Sequence, residues 1–427
     1  MYEDRVRTEG SALKEVFDYL DAHSKLVHNR EDVSSPPSPR VLGQGCVLRG
    51  VEERLKRLGA CTELDMDRQP TNRKDAHSHV DLQPTNRKDD VSLLPWVHVV
   101  EAFQAIKQPL PVNLKFLVTA AEGTAWEGDL ELDGVEQFLL TSKKRFLSDV
   151  RYSCITLDRS PGTRFPCVIY GLRGLCYFTV EVTGTDDPSH SDAHSGVYGG
   201  VLYEPMGDLL FLLNCLVDER GKILVPGVLD DVLRGEEPPS RDVEPDVEEL
   251  RSTLAVSRLA HKEDSRRLLL HIAWLPSLTI HAVEGAWSGL GARTTVPLRV
   301  KGHFSVRLVP NQTPDKVCLR FTEYLNKVHR HFRRSPNAIR VELTSSALPW
   351  VQDPDDPHLG AAQRAVRTVL GGRPTLTRGG GSSKMAAVLQ RVTGGSLVAL
   401  PLDRDMVGLK VLAAYLHEVG QLDTNWH

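Results

Sequence analysis

The first half of the chain reads PVNLKFLVTA at 111–120, VEQFLLTSKKRFL at 135–147 and VRYSCITL at 150–157. The outer two segments are apolar runs of strand length, and the middle one has the spacing of an amphipathic helix. Strand, helix and strand in this order are the beginning of a parallel sheet that is flanked by helices. A further helix is predicted just before them, over 92–107. The fold class indicated here is α/β.

A similar alternation of predicted helices and strands occurs near the C-terminus. Helices are predicted near 360–370 and 384–392, followed by the strand SLVALPL at 396–402 and a last helix over 407–419. Because the two blocks share one pattern, we expect them to form a single discontinuous domain over 1–170 and 335–427.

The middle of the chain, 171–334, has a different pattern. Apolar and polar residues alternate there in three segments, LCYFTVEV (175–182), SLTIHAVE (277–284) and VPLRVKGHFSVRLV (296–309). Such alternation is typical of half-buried antiparallel strands, and helices predicted near 205–217 and 314–331 would cover one face of the sheet. We therefore predict an α+β domain inserted into the first one.

Composition limits the classes of function. The chain has 427 residues, of which 41% are hydrophobic and 25% charged, and its net charge is -4. This balance predicts a soluble protein whose main partner is neither nucleic acid nor a membrane. The longest apolar run, at 209–217, is far shorter than a membrane span. Seven scattered cysteines without a Cys-X-X-Cys pair indicate free thiols in a reducing compartment, which predicts a cytoplasmic location.

A duplicated heptapeptide surrounds the one motif that suggests metal chemistry. QPTNRKD occurs at 69–75 and again at 83–89, and His79 and Asp81 lie between the copies. A His and a carboxylate two residues apart point the same way from an extended segment, and many metal sites begin in this manner. The alternative is a loop histidine that stands beside an aspartate by chance.

Several motifs carry a resemblance to a known family. They are HVDLQP (79–84), YGLRG (170–174), HSGVYGG (194–200), GKILVPG (221–227), LPSLTIHAVEGAWSG (275–289), FSVRLVPNQTP (304–314) and TRGGGS (377–382). With these motifs in this order, the chain resembles the cytosolic nonspecific dipeptidase and carnosinase family of two-metal peptidases. The resemblance implies a catalytic α/β domain with a mixed sheet, interrupted by an α+β dimerisation (lid) domain over 171–334. It also implies a dipeptide substrate and a homodimer that forms through the lid.

The resemblance assigns the catalytic side as follows. Family members use two Zn or Mn ions per chain to activate a water molecule, whose proton a glutamate accepts. Here His79 corresponds to a metal ligand, Asp81 to the carboxylate that orients it and Glu122 to the general base. Asp89 is the nearest counterpart of the bridging ligand. It follows Asp81 by only eight residues and closes the second heptapeptide, so it is either the bridge or a product of the duplication.

The metal site departs from the family pattern in three places. Gly123 stands where the family has a second glutamate, and Leu157 stands where it has an aspartate ligand. No Gly-Ala-His-Ser stretch precedes the final helix. The polar heptapeptides also replace strands near 62–92, so we expect a truncated catalytic domain. The resemblance thus predicts an incomplete metal site and impaired or absent catalysis.

The substrate side keeps most of the family's residues. By resemblance Arg307 binds the peptide's C-terminal carboxylate, and His194 reaches into the partner's active site to stabilise the oxyanion. Thr294 and Ser382 correspond to further substrate contacts, whereas Gly379 stands where the family has a glutamate. The alternative for Arg307 is an exposed strand arginine without a ligand.

Three hypotheses follow for the whole chain. The first is an active Mn or Zn dipeptidase in which His77, Asp158 or other residues replace the missing ligands. The second is a non-catalytic dimeric relative that binds peptides. The third is a product of exon loss or gene-model error whose catalytic half folds poorly. The sequence favours impaired or absent hydrolysis.

Overall fold

A computed structural model describes residues 2–22, 94–117, 139–141, 147–157, 166–187, 192–232, 245–285, 291–333, 335–402 and 406–424. The chain divides into two compact units. The first unit comprises 1–170, 352–376 and 389–427, and the second comprises 171–351 and 377–388.

The α-helices of the described residues are numbered in chain order. They are α1 (Tyr2–Ala22), α2 (Leu94–Ala105), α3 (Ser195–Tyr198), α4 (Pro205–Asn214), α5 (Val247–Leu254), α6 (Ser265–Leu269), α7 (Pro314–Val328), α8 (Pro357–Leu370), α9 (Lys384–Thr393) and α10 (Met406–Thr424). Short π-helical turns, Leu270–Trp274 and His329–Arg333, directly follow α6 and α7.

The strands of the described residues are numbered in the same way. They are β1 (Tyr152–Leu157), β2 (Cys167–Thr183), β3 (Ala193–His194), β4 (Ser277–Glu284), β5 (Thr295–Val296), β6 (Arg299–Leu308), β7 (Ala338–Ala347), β8 (Trp350–Val351), β9 (Thr375–Ser382) and β10 (Ser396–Pro401).

The first unit is built on a small mixed sheet. Strands β1 and β10 pair in parallel from Tyr152↔Ser396 to Leu157↔Pro401, and β10 also pairs antiparallel with the beginning of β2. Helix α10 packs against α1, α2 and α8. Its contact with α8 is lined by small buried side chains such as Ala361 and Ala365, which let the two helix backbones approach closely.

The second unit is built on an antiparallel sheet in the order β7, β2, β6, β4. Because side chains alternate across a strand, one face of this sheet is apolar and is covered by α4 and α7. At its centre three rings stack: Phe178 lies 4.9 Å from Phe304 and 5.1 Å from Phe321, between ring centroids. The opposite face carries the polar residues of β2, β4 and β6, and the candidate site lies there.

Most predicted elements are found where the periodicity places them. The structure confirms the α/β prediction with its mixed sheet, as well as the strand at 277–284 and the helices after 205 and 314. One difference is the strand predicted over 111–120. Its described part, 111–117, alternates in burial but has no regular secondary structure. A strand needs a hydrogen-bonded partner, which hydropathy alone does not supply.

The division into units differs from the one that the sequence pattern suggested. Residues 335–351 and 377–388 join the second unit, whereas the pattern grouped them with the C-terminal block. The reason lies in backbone pairing. Strand β7 pairs with β2 from Leu175↔Ala347 to Thr183↔Ala338, and β9 pairs with β2 as well.

None of the described helices has the length and apolar character to cross a membrane.

Candidate peptide-binding site

Arg307 is held in place by a short chain of hydrogen bonds on the polar face of the second unit. Alternation along β6 buries Phe304, Val306 and Leu308 and turns Arg307 to the opposite face. Its Nη1 donates to Ser382 Oγ at 2.7 Å, and Ser382 Oγ donates to the Gly174 carbonyl at 2.8 Å. The guanidinium orientation is therefore fixed by a hydroxyl that is itself anchored to β2.

A second guanidinium, that of Arg173, joins three segments beside Arg307. Its Nε donates to the Gly380 carbonyl at 2.8 Å. Its Nη1 donates to the carbonyls of His271 and Leu275 and to Ser277 Oγ, at 3.2, 3.3 and 3.0 Å. Burial, and secondly the charge of Arg307, lower the pKa of Arg173 to about 9. These acceptors are neutral, so the two arginines create a region of positive potential.

Close backbone packing requires a glycine at position 380 of the TRGGGS motif. A Cβ atom on Gly380 would lie 2.6 Å from the carbonyl oxygen of Ile272, a distance that backbone atoms do not permit. The π-helical turn before β4 can therefore approach β9 closely only at a glycine. This approach brings the carbonyls of the turn and of Gly380 to the Arg173 guanidinium, and Ser382 follows two residues later.

His194 and Thr294 form a second pair. Strands β3 and β5 pair through His194↔Thr295, and the Ser195 amide donates to the Thr294 carbonyl at 2.8 Å. His194 is the N-cap of α3, where its Nδ1 accepts from the Gly196 amide at 3.0 Å. In the neutral ring this bond leaves the proton on Nε2, so the exposed imidazole presents a donor.

A group of rings that the sequence pattern did not reveal lies next to Arg307. His281 Nε2 lies 2.8 Å from Ser305 Oγ, and the His281 ring stacks on Tyr177 with 5.5 Å between centroids and 3° between planes. The signal was present in SLTIHAVE, since alternation places residue 281 on the same face as 277. It was not recognisable alone, because Tyr177 belongs to a strand about a hundred residues away in sequence.

The residues predicted for catalysis and metal binding lie elsewhere in the sequence. His79, Asp81, Asp89 and Glu122 lie outside the described residues. Within the described ranges, no three side chains of His, Cys, Asp or Glu are grouped so that they could hold a metal ion. Leu157, at the end of β1, offers only hydrocarbon where the resemblance calls for a ligand. The described residues therefore do not compose the donor set of a metal pair.

The first unit contains a buried polar network that resembles a hydrolytic triad only in composition. His358 Nε2 lies 2.6 Å from the Tyr415 hydroxyl, and His358 Nδ1 lies 3.0 Å from Ser396 Oγ. Ser396 donates its own proton to Asp356 at 2.8 Å, so the histidine does not activate it as a nucleophile. Burial raises the pKa of the adjoining Cys154 thiol to about 12, which makes it unreactive. The network joins β1, β10, α8 and α10.

A family model agrees with the resemblance inferred from the motifs. The model, described as a peptidase dimerisation domain of the M20 type, matches residues 170–333. This range corresponds to most of the second unit, with its antiparallel sheet and covering helices.

Comparison with curated proteins gives relatives of known activity. The chain is 38% identical over 313 residues to a Beta-Ala-His dipeptidase from mouse, over 73% of this chain and 61% of that protein. It is 33% identical over 412 residues to the rat Beta-Ala-His dipeptidase, over 93% and 79% of the two chains. It is 35% identical to the Cys-Gly metallodipeptidase DUG1 of Saccharomyces cerevisiae, over 78% and 71%. The chain thus spans about three fifths of the mouse relative's length (61%).

Solved structures give the same family and confirm the fold class. Human carnosine dipeptidase 1 matches with a TM-score of 0.75 and 31% identity, over 96% of this chain and 100% of that one. The di-peptidase Dug1p from Saccharomyces cerevisiae matches with a TM-score of 0.77 and 28% identity, over 96% and 98%. The curated relatives are dipeptidases, the yeast one a metallodipeptidase, and the chain belongs to their family, the carnosinase-type dipeptidases with an M20 dimerisation domain.

Proposed function

We propose that this protein binds short peptides by their C-terminal carboxylate at Arg307, and that its metal-dependent hydrolysis of them is impaired. The observation that carries the binding proposal is the fixed guanidinium: Arg307 donates to Ser382, and Ser382 donates to the Gly174 carbonyl. The relatives named above act on Beta-Ala-His and on Cys-Gly, which are both short peptides with a free carboxylate.

The geometry explains why a carboxylate suits this site. A guanidinium is a planar fork of donors that matches the two oxygens of a carboxylate. The nearby Arg173 adds positive charge, and its own hydrogen-bond acceptors are neutral. An anion that reaches Arg307 therefore gains a charge-assisted hydrogen bond, and it also lowers the repulsion between the two arginines.

His194 and Thr294 are proposed to contact the substrate in the assembled protein. The exposed His194 ring presents a donor on Nε2, a group that suits an oxyanion or a peptide carbonyl. By resemblance this contact is made in the partner's site, so we propose a homodimer. Three exposed apolar side chains close to His194 support an interface: Val197, Val201 and Tyr203 are 64%, 73% and 60% exposed in the single chain.

Impaired hydrolysis is proposed from the ligand positions. Bound metals, Zn or Mn in the family, would supply the activated water. For this chain we propose His79 as a remaining ligand, Asp81 as its orienting carboxylate and Glu122 as the general base, with Asp89 as the one candidate bridge. The support for an incomplete set is the replacement of expected carboxylates by Gly123 and Leu157. A single histidine with a carboxylate binds a metal weakly.

A second candidate is an active dipeptidase with substituted ligands. The observation in its favour is the agreement with human carnosine dipeptidase 1, at 31% identity over 96% of this chain. This hypothesis places the missing metal contacts on residues such as His77 or Asp158, which lie outside the described ranges.

A binding experiment tests the first part of the proposal. Calorimetry would compare the binding of Ala-Gln with that of its C-terminal amide, to the purified full chain and to Arg307→Met. We expect the amide to bind at least about tenfold more weakly, and the variant to lose the difference, because a charge-assisted hydrogen bond contributes about 1.5–3 kcal/mol. Arg340→Met is the matched control, since Arg340 lies on β7 of the same sheet and is 70% exposed.

The outcomes separate the hypotheses. Equal affinity of acid and amide for the wild-type chain would overturn Arg307 as the carboxylate anchor. Metal analysis and an assay of dipeptide cleavage decide the second part. If the chain holds two equivalents of Zn or Mn and a chelator removes both metal and cleavage, the protein is an active dipeptidase and impairment is excluded.

A further inference from the structure

The polar face of the second unit has a regular order of rows across β4, β6 and β2. In one row Arg307 lies between Ser277 on β4 and Leu175 on β2. In the next row Ser305 lies between Thr279 and Tyr177. Residues two apart along a strand are about 7 Å apart on the same face, so the second row borders the Arg307 site directly.

His281 reaches into this second row from a bulge in β4. The register between β4 and β6 shifts between Ile280 and Ala282, so His281 is the extra residue and has no direct partner in the ladder. Its ring stacks on Tyr177, and its Nε2 lies 2.8 Å from Ser305 Oγ. The imidazole is thus fixed from two sides at the edge of the site.

Arg307 places a positive charge close to His281. On β6 it faces Arg307 and His303, and on β2 it faces the neutral Tyr177 ring. On its own strand, β4, the acid is Glu284, which lies 3.2 Å from His303 Nε2. Burial, then Arg307 and His303, lower the pKa of His281. The free site therefore keeps this ring neutral at a pH where an ordinary histidine begins to be protonated.

We propose that His281 is a specificity-determining residue that favours peptides whose last residue has an acidic side chain. The proposal rests on the proposed function, because it needs the C-terminal carboxylate at Arg307. With that carboxylate in place, a glutamate side chain extends over the next row toward His281. The neutral glutamine side chain has the same length and shape but carries no charge.

Proton linkage gives the proposal its signature. A carboxylate on Arg307 reduces the positive potential at His281, and a second carboxylate beside the ring favours the imidazolium further. Binding of the acidic peptide near neutral pH is therefore accompanied by proton uptake at His281. By reciprocity, acidification strengthens the binding of that peptide more than that of the neutral one. The step is a proton transfer: an O–H bond of a solvent acid breaks, an N–H bond forms on the imidazole, and no other covalent bond changes.

The experiment compares Ala-Glu with Ala-Gln by calorimetry at pH 6 and pH 8, without added metal. For the wild-type chain at pH 6 we expect Ala-Glu to bind about threefold more tightly than Ala-Gln, because one partly exposed charge pair contributes on this scale. At pH 8 we expect the two peptides to bind equally well. His281→Gln retains a hydrogen-bonding group for Ser305 and removes the titratable charge, so the preference should be absent at both pH values. His331→Gln is the control, because His331 lies in the turn after α7 and is exposed.

A second measurement uses only the wild-type chain, so misfolding of a variant cannot affect its result. Calorimetry in two buffers of different ionisation enthalpy reports the protons taken up by the wild-type chain itself. Uptake with Ala-Glu that exceeds uptake with Ala-Gln supports the proposal. Equal proton uptake and equal affinity for the two peptides overturn it. If the C-terminal amide of Ala-Gln still binds more weakly than Ala-Gln in that case, Arg307 remains the carboxylate anchor. If Ala-Gln and its amide bind equally, the proposed function fails and this inference fails with it.

Discussion

The side chain of His358 shows how burial fixes a protonation state. Its side chain is fully buried between Tyr415 and Ser396, and burial lowers its pKa to about 4 despite the nearby Asp356. In the unfolded chain a histidine titrates near 6.5. Between these values the unfolded state binds the proton and the folded state does not, so stability is lost as the pH falls.

We therefore predict an acid-sensitive contribution from His358. Urea unfolding measured from pH 7.5 to pH 4 should show the free energy of unfolding decreasing below about pH 6.5. At pH 4, His358 should account for a loss of about 3 kcal/mol. His358→Gln removes this titration, so its loss of stability over the same window should be smaller. Equal pH dependence of the two proteins would contradict the prediction. His331→Gln, which changes an exposed histidine, serves as the control.

At the element scale, the second unit depends on the docking of α7 against its sheet. Phe321 of α7 is fully buried and stacks on Phe178, whose ring also stacks on Phe304. Removal of this ring leaves a cavity that the stacked neighbours fill only in part. Phe321→Ala should lower the free energy of unfolding by about 3–5 kcal/mol.

The same helix provides a control for that prediction. Leu319 lies two residues away and is 56% exposed, so Leu319→Ala should change stability by less than about 0.5 kcal/mol. Chemical denaturation of both variants measures the difference. If Phe321→Ala lowers the free energy of unfolding by no more than Leu319→Ala does, then α7 does not support the sheet.

At the scale of the whole molecule, the exposed apolar side chains near His194 predict a dimer. Val197 and Val201 are 64% and 73% exposed in the single chain. We expect light scattering at micromolar concentration to give twice the chain mass of 47.4 kDa. Val201→Lys places a charge in the expected interface and should shift the mass toward the monomer. Val256, which follows α5 in the sequence and is 40% exposed, offers a control, Val256→Lys, that should leave the dimer intact.

The local pattern of the sequence was sufficient for the elements that have their own periodicity. Strand β4 has the bounds predicted from alternation, 277–284, and α4 and α7 begin at the prolines that open helices. The segment 111–117 shows the limit of that approach. Its burial alternates as in a strand, yet regular structure is absent from it, because pairing depends on a neighbour that the local pattern does not reveal.

Local sequence was sufficient to identify the family, the two types of architecture and the residues proposed to bind substrate, because each rests on a short motif or a local period. Which of these residues contact one another became known only from the folded chain. Ser382 contacts Arg307 across 75 residues of sequence, and Arg173 reaches Gly380 across 207. The row of Tyr177, Ser305 and His281 likewise comes from three strands. Such contacts follow from strand order and register, which are properties of the folded chain and not of any local segment.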